Sequence, residues 1–379
     1  MNLNRVIRTL AVGLGTLAAA SSALASSYTF VPLEGPVGSV SAYAINASGV
    51  VAGAVSDPVG YATRASTWTA GEPTLLERQN SSGSSGWAIN DRGQVAGYAW
   101  DNRTGQTAAV WSKGTQTLLA REQGTTSQFA TGINNASLVV GNRSLDHGLA
   151  TQAVTWWNYD VTPLQMLGAN ESYASAVNNA GQIAGYLMYA VGEGVRNQAV
   201  VWQGDVATPL LSNAGDNCCT RAHGISDSGV VVGESFADGL LKAVYWQGSD
   251  RAIELQSIGT GARARGVNNV GQAVGQAVGV ESVLFGDVAM MWDLATGNYI
   301  NLNTFLSAED VAAGWSLIQA YDINDAGDIV GEAFNRKSGN FRPFALMSAV
   351  PEPSAWMMGV LGLMVLQVGA RRKRAPSPV

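Results

Sequence analysis

Histidine and cysteine are nearly absent from this 379-residue chain, with two of each, and only 13% of its residues are charged. The histidines, His147 and His223, stand in no HExxH motif, and the cysteines, Cys218 and Cys219, are adjacent. Neither a disulfide framework nor a spaced Cys/His zinc set can be assembled from them. In an oxidising compartment Cys218 and Cys219 can form a vicinal bridge, pair with another chain or stay reduced, and the sequence leaves all three open. Cys218, Cys219 and His223 fall within six residues but lack further metal ligands. No G-x-S-x-G elbow, Walker loop or Rossmann fingerprint occurs, which removes the usual sequence support for serine hydrolysis and nucleotide chemistry. No metal, no cofactor and no catalytic residue is expected.

What is plentiful points to β-structure. Hydrophobic residues make up 46% of the chain, beside 45 glycines and 11 tryptophans. A disordered chain lacks that much apolar surface, collagen needs a strict glycine period, and helical rods need far more Glu, Lys and Leu. Short strands joined by tight turns fit instead.

Both ends read as processing segments. Residues 1–25 carry Arg5 and Arg8, an apolar run from Leu10 to Ala20, and Ala23-Leu24-Ala25, the small-x-small pattern that a signal peptidase accepts. Cleavage after Ala25 is expected. Near the other end, Ser354 to Ala370 is an apolar run of 17 residues, long enough for a transmembrane helix, followed by Arg371, Arg372, Lys373 and Arg374. The basic cluster should stay cytoplasmic. Setting aside the two leader arginines, Glu352 and the four basic tail residues leaves 16 basic against 27 acidic side chains, so the body is about 11 charges negative. Nucleic acid is therefore not expected as a partner, since a polyanion needs a basic face.

One phrase recurs seven times: SAYAINASGVVAG, SGWAINDRGQVAG, FATGINNASLVVG, YASAVNNAGQIAG, RAHGISDSGVVVG, RARGVNNVGQAVG and QAYDINDAGDIVG. Its anchors are Asn46, Asn90, Asn134, Asn178, Ser226, Asn268 and Asn324, spaced by 44, 44, 44, 48, 42 and 56 residues. Seven residues past each anchor stands a glycine, from Gly53 to Gly331. Three residues past it stands another, except at Ser137. A bulky aromatic follows 20 to 24 residues after each anchor: Trp68, Trp111, Trp156, Trp202, Trp246, Trp292 and Phe344.

N-x-x-G places an Asx acceptor at the first turn position and a residue of positive φ at the fourth, so each phrase reads as a β-hairpin. The Asn and Asp residues resemble calcium-loop ligands, but most copies have one carboxylate or none, which favours the turn. The second half of each repeat reads as two further strands. Four short strands in about 44 residues, seven times over, predict an all-β, seven-bladed β-propeller spanning residues 26–349. A β-solenoid is the alternative, but it repeats over fewer residues and needs capping ends. The last copy stops at its third strand, and Tyr28 to Leu33 supplies a spare strand before the first hairpin. Pairing the two is expected to close the ring.

The repeated phrase, with its following x-A-x-x-W-x-x-G, resembles the HAF repeats of bacterial extracellular proteins across nearly the whole body. Where that family often has His-Ala-Phe, this chain has Arg64-Ala65-Ser66, Gln152-Ala153-Val154 or Lys242-Ala243-Val244. Residues 350–379, with Pro351-Glu352-Pro353, the apolar run 354–370 and the basic end, resemble the PEP-CTERM sorting signal of Gram-negative bacteria that make exopolysaccharide. That resemblance implies recognition of Pro351, Glu352 and Pro353 by an exosortase-type membrane peptidase and transient anchoring in the inner membrane. Release to the cell surface or the medium would follow.

The function these features suggest is a non-catalytic binding or matrix protein linked to exopolysaccharide or biofilm. The alternative is a carbohydrate-active propeller enzyme of glycoside hydrolase or lyase type, for which Glu234 and Glu332, in equivalent places just after the repeated glycine, are the pair to inspect. The binding candidates come from the position three before each anchor, which varies among Tyr43, Trp87, Thr131, Ser175, His223, Arg265 and Tyr321, while the residue before it is always Ala or Gly. Small residues suit a crowded innermost strand, and the variable position is expected just after the loop entering it. Aromatic faces stack on sugar rings, so Tyr43, Trp87 and Tyr321, with Arg265 and His223 as polar partners, are the candidate saccharide site.

Overall fold

Asn46 closes its turn with its own side chain: Oδ1 accepts from the backbone N–H of Ser48 and Val50 at 3.1 and 3.0 Å, while Gly49 N–H donates to the Asn46 carbonyl. The same turn recurs around the protein. Gly49, Gly93, Gly181, Gly229, Gly271 and Gly327 take φ between 73° and 87°, and Ser137, where the glycine is missing, is held at 67°. This left-handed conformation is what makes glycine the common residue there.

In the computed structural model the described residues are 28–349, apart from 36–37, 57–61, 80, 146–149, 159, 193, 213–218, 238, 249–250 and 282–285. The leader with Ala23 and Ala25, the Pro351-Glu352-Pro353 motif, the segment 354–370, His147 and Cys218 therefore lie outside them. Thr29–Met347 form one compact unit; the other unit combines 1–28 with 348–379, almost all outside the described residues. Among the described residues no helix is long and apolar enough to cross a membrane.

The hairpins build seven antiparallel sheets of four strands each, a seven-bladed β-propeller. Blade 1 runs Val40–Ile45, Val51–Ser56, Thr63–Thr69 and Glu72–Leu75, in that order across the sheet. Blades 2 to 6 repeat this arrangement, with first strands Gly83–Ile89, Ser127–Ile133, Glu171–Val177, Thr220–Ile225 and Gly261–Val267. Blade 7 has Trp315–Ile323, Ile329–Asn335 and Asn340–Ser348, and its outermost strand is Tyr28–Pro32 from the start of the body. The expected closure is present, with Leu33 N–H donating to the Pro343 carbonyl at 2.9 Å just past the paired segment. The 56-residue spacing before the last anchor comes from a 3₁₀ turn, Leu302–Phe305, and a helix, Ala308–Ala313, inserted between blades 6 and 7.

First strands of neighbouring blades contact one another around the ring, which makes them innermost. In every blade the ladder between first and second strands slips by one residue at the variable position, skipping Tyr43, Trp87, Thr131, Ser175, His223, Arg265 and Tyr321. Each of these residues is a β-bulge within the strand, not the strand's entry as the sequence suggested. An unpaired extra residue bends its strand and increases its twist. The partner responds with the glycine seven past the anchor: a Cβ on Gly97 would stand 2.0 Å from the Ser85 carbonyl, and the other six copies show 1.9 to 2.1 Å. Bulge and glycine are two halves of one device.

The core lies between blades. One cluster joins Ala96, Ala108 and Leu119 of blade 2 to Ala130, Ile133 and Trp156 of blade 3, and an equivalent one joins Leu33 and Ala345 of blade 7 to Ile45 and Trp68 of blade 1. The six tryptophans that follow the anchors, and Phe344, are fully buried. Burying a large apolar side chain stabilises by roughly 1.5–3 kcal/mol, and each indole also needs a hydrogen-bond acceptor. It finds one in the connector from the preceding blade: Trp111 Nε1 donates to Glu77 O at 2.8 Å and Trp68 Nε1 to Glu34 O at 2.8 Å. Phe344 lacks the N–H and makes no such bond.

Candidate ligand site on the ring axis

At one end of the axis the turns meet in two belts of hydrogen bonds. Asn46 Nδ2 donates to the Asn90 carbonyl, Asn90 to Asn134, Asn134 to Asn178 and Asn178 to Ser226, at 2.9 to 3.1 Å. The chain breaks at Ser226, whose hydroxyl is used locally on Val230 N–H, and resumes from Asn268 to Asn324 and from Asn324 to Asn46. One residue further on, the backbone N–H of Ala47 donates to Asp91 Oδ1, Asp91 to Asn135, Asn135 to Asn179, Asn179 to Asp227, Asp227 to Asn269 and Asn269 to Asp325. That belt breaks only where Ala47 offers no side-chain acceptor to Asp325. The two gaps fall at different seams, so each seam is held by at least one belt. The anchor oxygens close the turns as expected, and the Asn and Asp oxygens one residue further on join neighbouring blades, which the sequence did not show. The cavity they line, about 190 Å³, is a polar plug of structural contacts.

The bulge residues lie about three residues back from this plug, roughly 10 Å along the strand at ~3.3 Å per residue. Four of the five sequence candidates form one continuous arc around the axis. The Arg265 guanidinium lies over the Tyr321 ring at 5.8 Å; Tyr321 and Tyr43 have ring centroids 6.2 Å apart, and Tyr43 and Trp87 6.4 Å. Trp87 in turn stacks on Phe129 at 5.6 Å with a 13° interplanar angle, and meets Tyr98 edge-on at 5.1 Å. Tyr43 is exposed, while Trp87, Tyr321 and Arg265 are half-buried. Phe129 and Tyr98 were missed in the sequence because they occupy neighbouring columns of the repeat, five before and eight after their anchors, that look ordinary until the strands are paired.

His223, the fifth candidate, joins a charged quadrant instead. Its Nε2 is 3.5 Å from Glu234, which also lies 3.6 Å from Arg221 Nη1 and 3.3 Å from Arg263 Nε. Burial raises the Glu234 pKa, but the His223 hydrogen bond and charge, with Arg263 and Arg221, outweigh it and leave the carboxyl below its ordinary value. Glu234 is thus a buried carboxylate, ionised at neutral pH, not the exposed strand charge an isolated Glu in a strand suggests. Glu332 sits at the equivalent position of blade 7 and accepts from Gln319 Nε2 at 2.9 Å. Burial, and then the Glu332 charge, raise the Tyr321 phenol, so it stays protonated at physiological pH.

Asp322 was also missed. Its column otherwise holds Ala44, Ala88, Gly132, Ala176, Gly224 and Gly266, and an acid there was the available signal. Asp322 Oδ2 accepts from Ile45 N–H at 3.0 Å across the seam between blades 7 and 1. Desolvation pushes its carboxyl up to about 6 despite backbone donors at Ile45 and Ile323.

Among the described residues no three His, Cys, Asp or Glu side chains come together as metal ligands. Cys219 is disulfide-bonded, with its backbone at φ 62°.

No protein-family model matches the chain, and no curated protein does. Among solved structures, it is similar to TolB from Acinetobacter baumannii, with 10% identity and a TM-score of 0.45 over 67% of this chain and 63% of that one. It is similar to Trypanosoma rangeli sialidase in complex with sialic acid, with 10% identity and a TM-score of 0.38 over 93% and 61%. It is also similar to SapL1 lectin in complex with alpha methyl fucoside, with 10% identity and a TM-score of 0.38 over 87% and 99%. The chain thus spans less than two thirds of the length of the first two. At such identities and TM-scores these likenesses say nothing of ligand or activity, and the blade count rests on the sheet topology described above.

Proposed function

We propose that the protein is an exported, surface-associated or secreted glycan-binding protein without chemistry of its own, which associates with exopolysaccharide. The observation that carries this reading is the arc Arg265–Tyr321–Tyr43–Trp87, in which side chains up to 278 positions apart in sequence line one stretch of the axis. Aromatic faces of this kind stack on the apolar faces of pyranose rings, and a half-buried guanidinium beside them supplies hydrogen bonds to hydroxyls. Export is proposed from residues 1–25. Transient inner-membrane anchoring through 354–370, and removal by an exosortase-type peptidase acting at Pro351-Glu352-Pro353, are proposed from the resemblance of the tail to a sorting signal; Glu352→Ala should then leave the protein in the membrane fraction.

A second reading, a carbohydrate-active enzyme, draws on Glu234 and Glu332 occupying the same level of the ring. Against it, Glu234 is engaged by Arg221, Arg263 and His223, and a carboxyl with a lowered pKa is a poor proton donor at neutral pH.

A glycan array on residues 26–349, read beside a product assay on every glycan bound, separates the two. Binding with no product supports the first reading, and turnover supports the second. Trp87→Ala and Tyr321→Ala should lose binding while keeping most of their thermal stability. Stability lost in step with binding makes these residues core and removes the site.

A further inference from the structure

Around the same stretch of axis the side chains are not evenly mixed. Tyr43, Trp87, Tyr98 and Phe129 give blades 1 to 3 an apolar wall, while the guanidiniums of Arg221, Arg263 and Arg265 gather on blades 5 and 6. Glu234, the carboxylate that Arg221 and Arg263 share, is the more deeply buried: its side chain is 10% exposed, whereas those of Arg221 and Arg263 are each 41% exposed. The cations rather than the anion therefore face solvent. Their hydrogen-bonding capacity is also unspent. Among the described residues, Nε of Arg263 and Nε of Arg265 are both buried without a hydrogen-bond partner, Arg263 meets Glu234 as an ion pair at 3.3 Å, and the Arg265 guanidinium makes one bond, a long 3.4 Å contact to Gln276. Two further carboxylates approach this network, Asp287, which accepts from Gln276, and Glu332, which accepts from Gln319, and neither pairs with the three arginines among the described residues.

We infer that the axial site prefers an acidic saccharide, with a sugar carboxylate on Arg263 and Arg265 and a ring face on the aromatic wall. This rests on the glycan-binding reading above and narrows it to an anionic class. A planar carboxylate matches the fork of a guanidinium and can pair with the exposed part of the Arg263 side chain, which a neutral sugar cannot do as well. The body carries a net negative charge, so attraction of an acidic chain would have to come from this local cluster rather than from the overall field.

The test is calorimetric titration of residues 26–349 with an oligogalacturonate and with the same oligomer methyl-esterified, which removes the charge and keeps the sugar. The acid should bind about tenfold more tightly, the usual worth of a charged hydrogen-bonded pair. Arg263→Gln and Arg265→Gln should abolish that preference, whereas Lys242→Gln, which removes one positive charge from a pair with Glu254 outside this quadrant, should keep it. Melting temperatures of the variants identify any loss caused by misfolding, and saturation-transfer NMR on the folded fraction keeps the comparison valid. Equal binding of both oligomers, an unchanged preference in both arginine variants, equal loss in Lys242→Gln, or binding confined to neutral glycans of the array would each overturn the anionic preference and leave the glycan-binding reading standing. Absence of binding to every glycan would overturn both.

Discussion

Asn324 Nδ2 donates to the carbonyl of Asn46 at 2.9 Å, joining residues 278 positions apart and carrying the belt that five other anchor side chains build across the seam where the ring closes. The same Asn46 donates onward to Asn90, so one residue type both forms each turn through Oδ1 and binds the next blade through Nδ2. Ser226 can do only the first.

Ser226→Asn should therefore add the missing link to the Asn268 carbonyl and stabilise the ring by about 1 kcal/mol, the net worth of one hydrogen bond. Asn90→Ala should cost about 2–3 kcal/mol, since it strands the Asn134 carbonyl and the turn N–H groups together. Denaturant titration of both variants reads this; a neutral or destabilising Ser226→Asn would mean that the gap at blade 5 is not a weak point.

Deleting residues 28–33 removes the outermost strand of blade 7 and the Leu33 contact with the blade 1 core. Asn340–Ser348 becomes an open edge, so aggregation and a melting temperature lowered by many degrees are expected. Sedimentation and thermal melts check it. A truncated body that stays monomeric and melts like the full one would show that closure contributes little.

Gly97 and Gly93 separate two reasons for glycine. Gly93→Ala meets nothing within 4 Å and pays only for its φ of 73°, about 1 kcal/mol. Gly97→Ala drives a Cβ to 2.0 Å from the Ser85 carbonyl, where the bulged strand cannot retreat, and should cost about 3 kcal/mol or more. A reversed order of melting temperatures would contradict the role assigned to the bulge.

Asp322 gives the fold a pH dependence of definite sign. Its folded pKa of about 6 exceeds the unfolded value near 3.8, so the native state holds a proton that the unfolded chain has lost. That contribution is fully present below pH 3.8 and fades as pH rises through 6, by at most about 3 kcal/mol. Glu234 works oppositely, its lowered pKa losing stability as pH falls. Asp322→Asn, which keeps an acceptor for Ile45 N–H, should be more stable than the parent at pH 7.5 and lose the advantage at pH 4. An identical difference between the two proteins at both pH values would remove Asp322 as the cause.

Local chemistry is written locally, and that is why so much of the blade was legible. Asn at the first turn position, a positive-φ glycine at the fourth and alternating apolar strands act over a few residues, and seven repetitions turn a weak pattern into a blade count. The spare strand at Tyr28 could be matched to the incomplete last repeat by simple subtraction. Candidate site residues emerged from the same alignment of repeats, since Tyr43, Trp87, Arg265 and Tyr321 share a column.

Other features depend on where blades meet, and a repeat read one copy at a time has no access to that. Nδ2 of each asparagine anchor finds its acceptor 44 to 56 residues or, at closure, 278 residues away. The bulge shows itself only when Ala42 pairs with Gly53 and Ala44 with Ala52, leaving Tyr43 between them. Likewise, Phe129 reaches Trp87, and Arg263 reaches Glu234, only across a blade boundary. The repeat determines each hairpin because turn geometry is a property of four consecutive residues; the ring decides the site because curvature alone brings the innermost strands of seven blades within side-chain reach of one another.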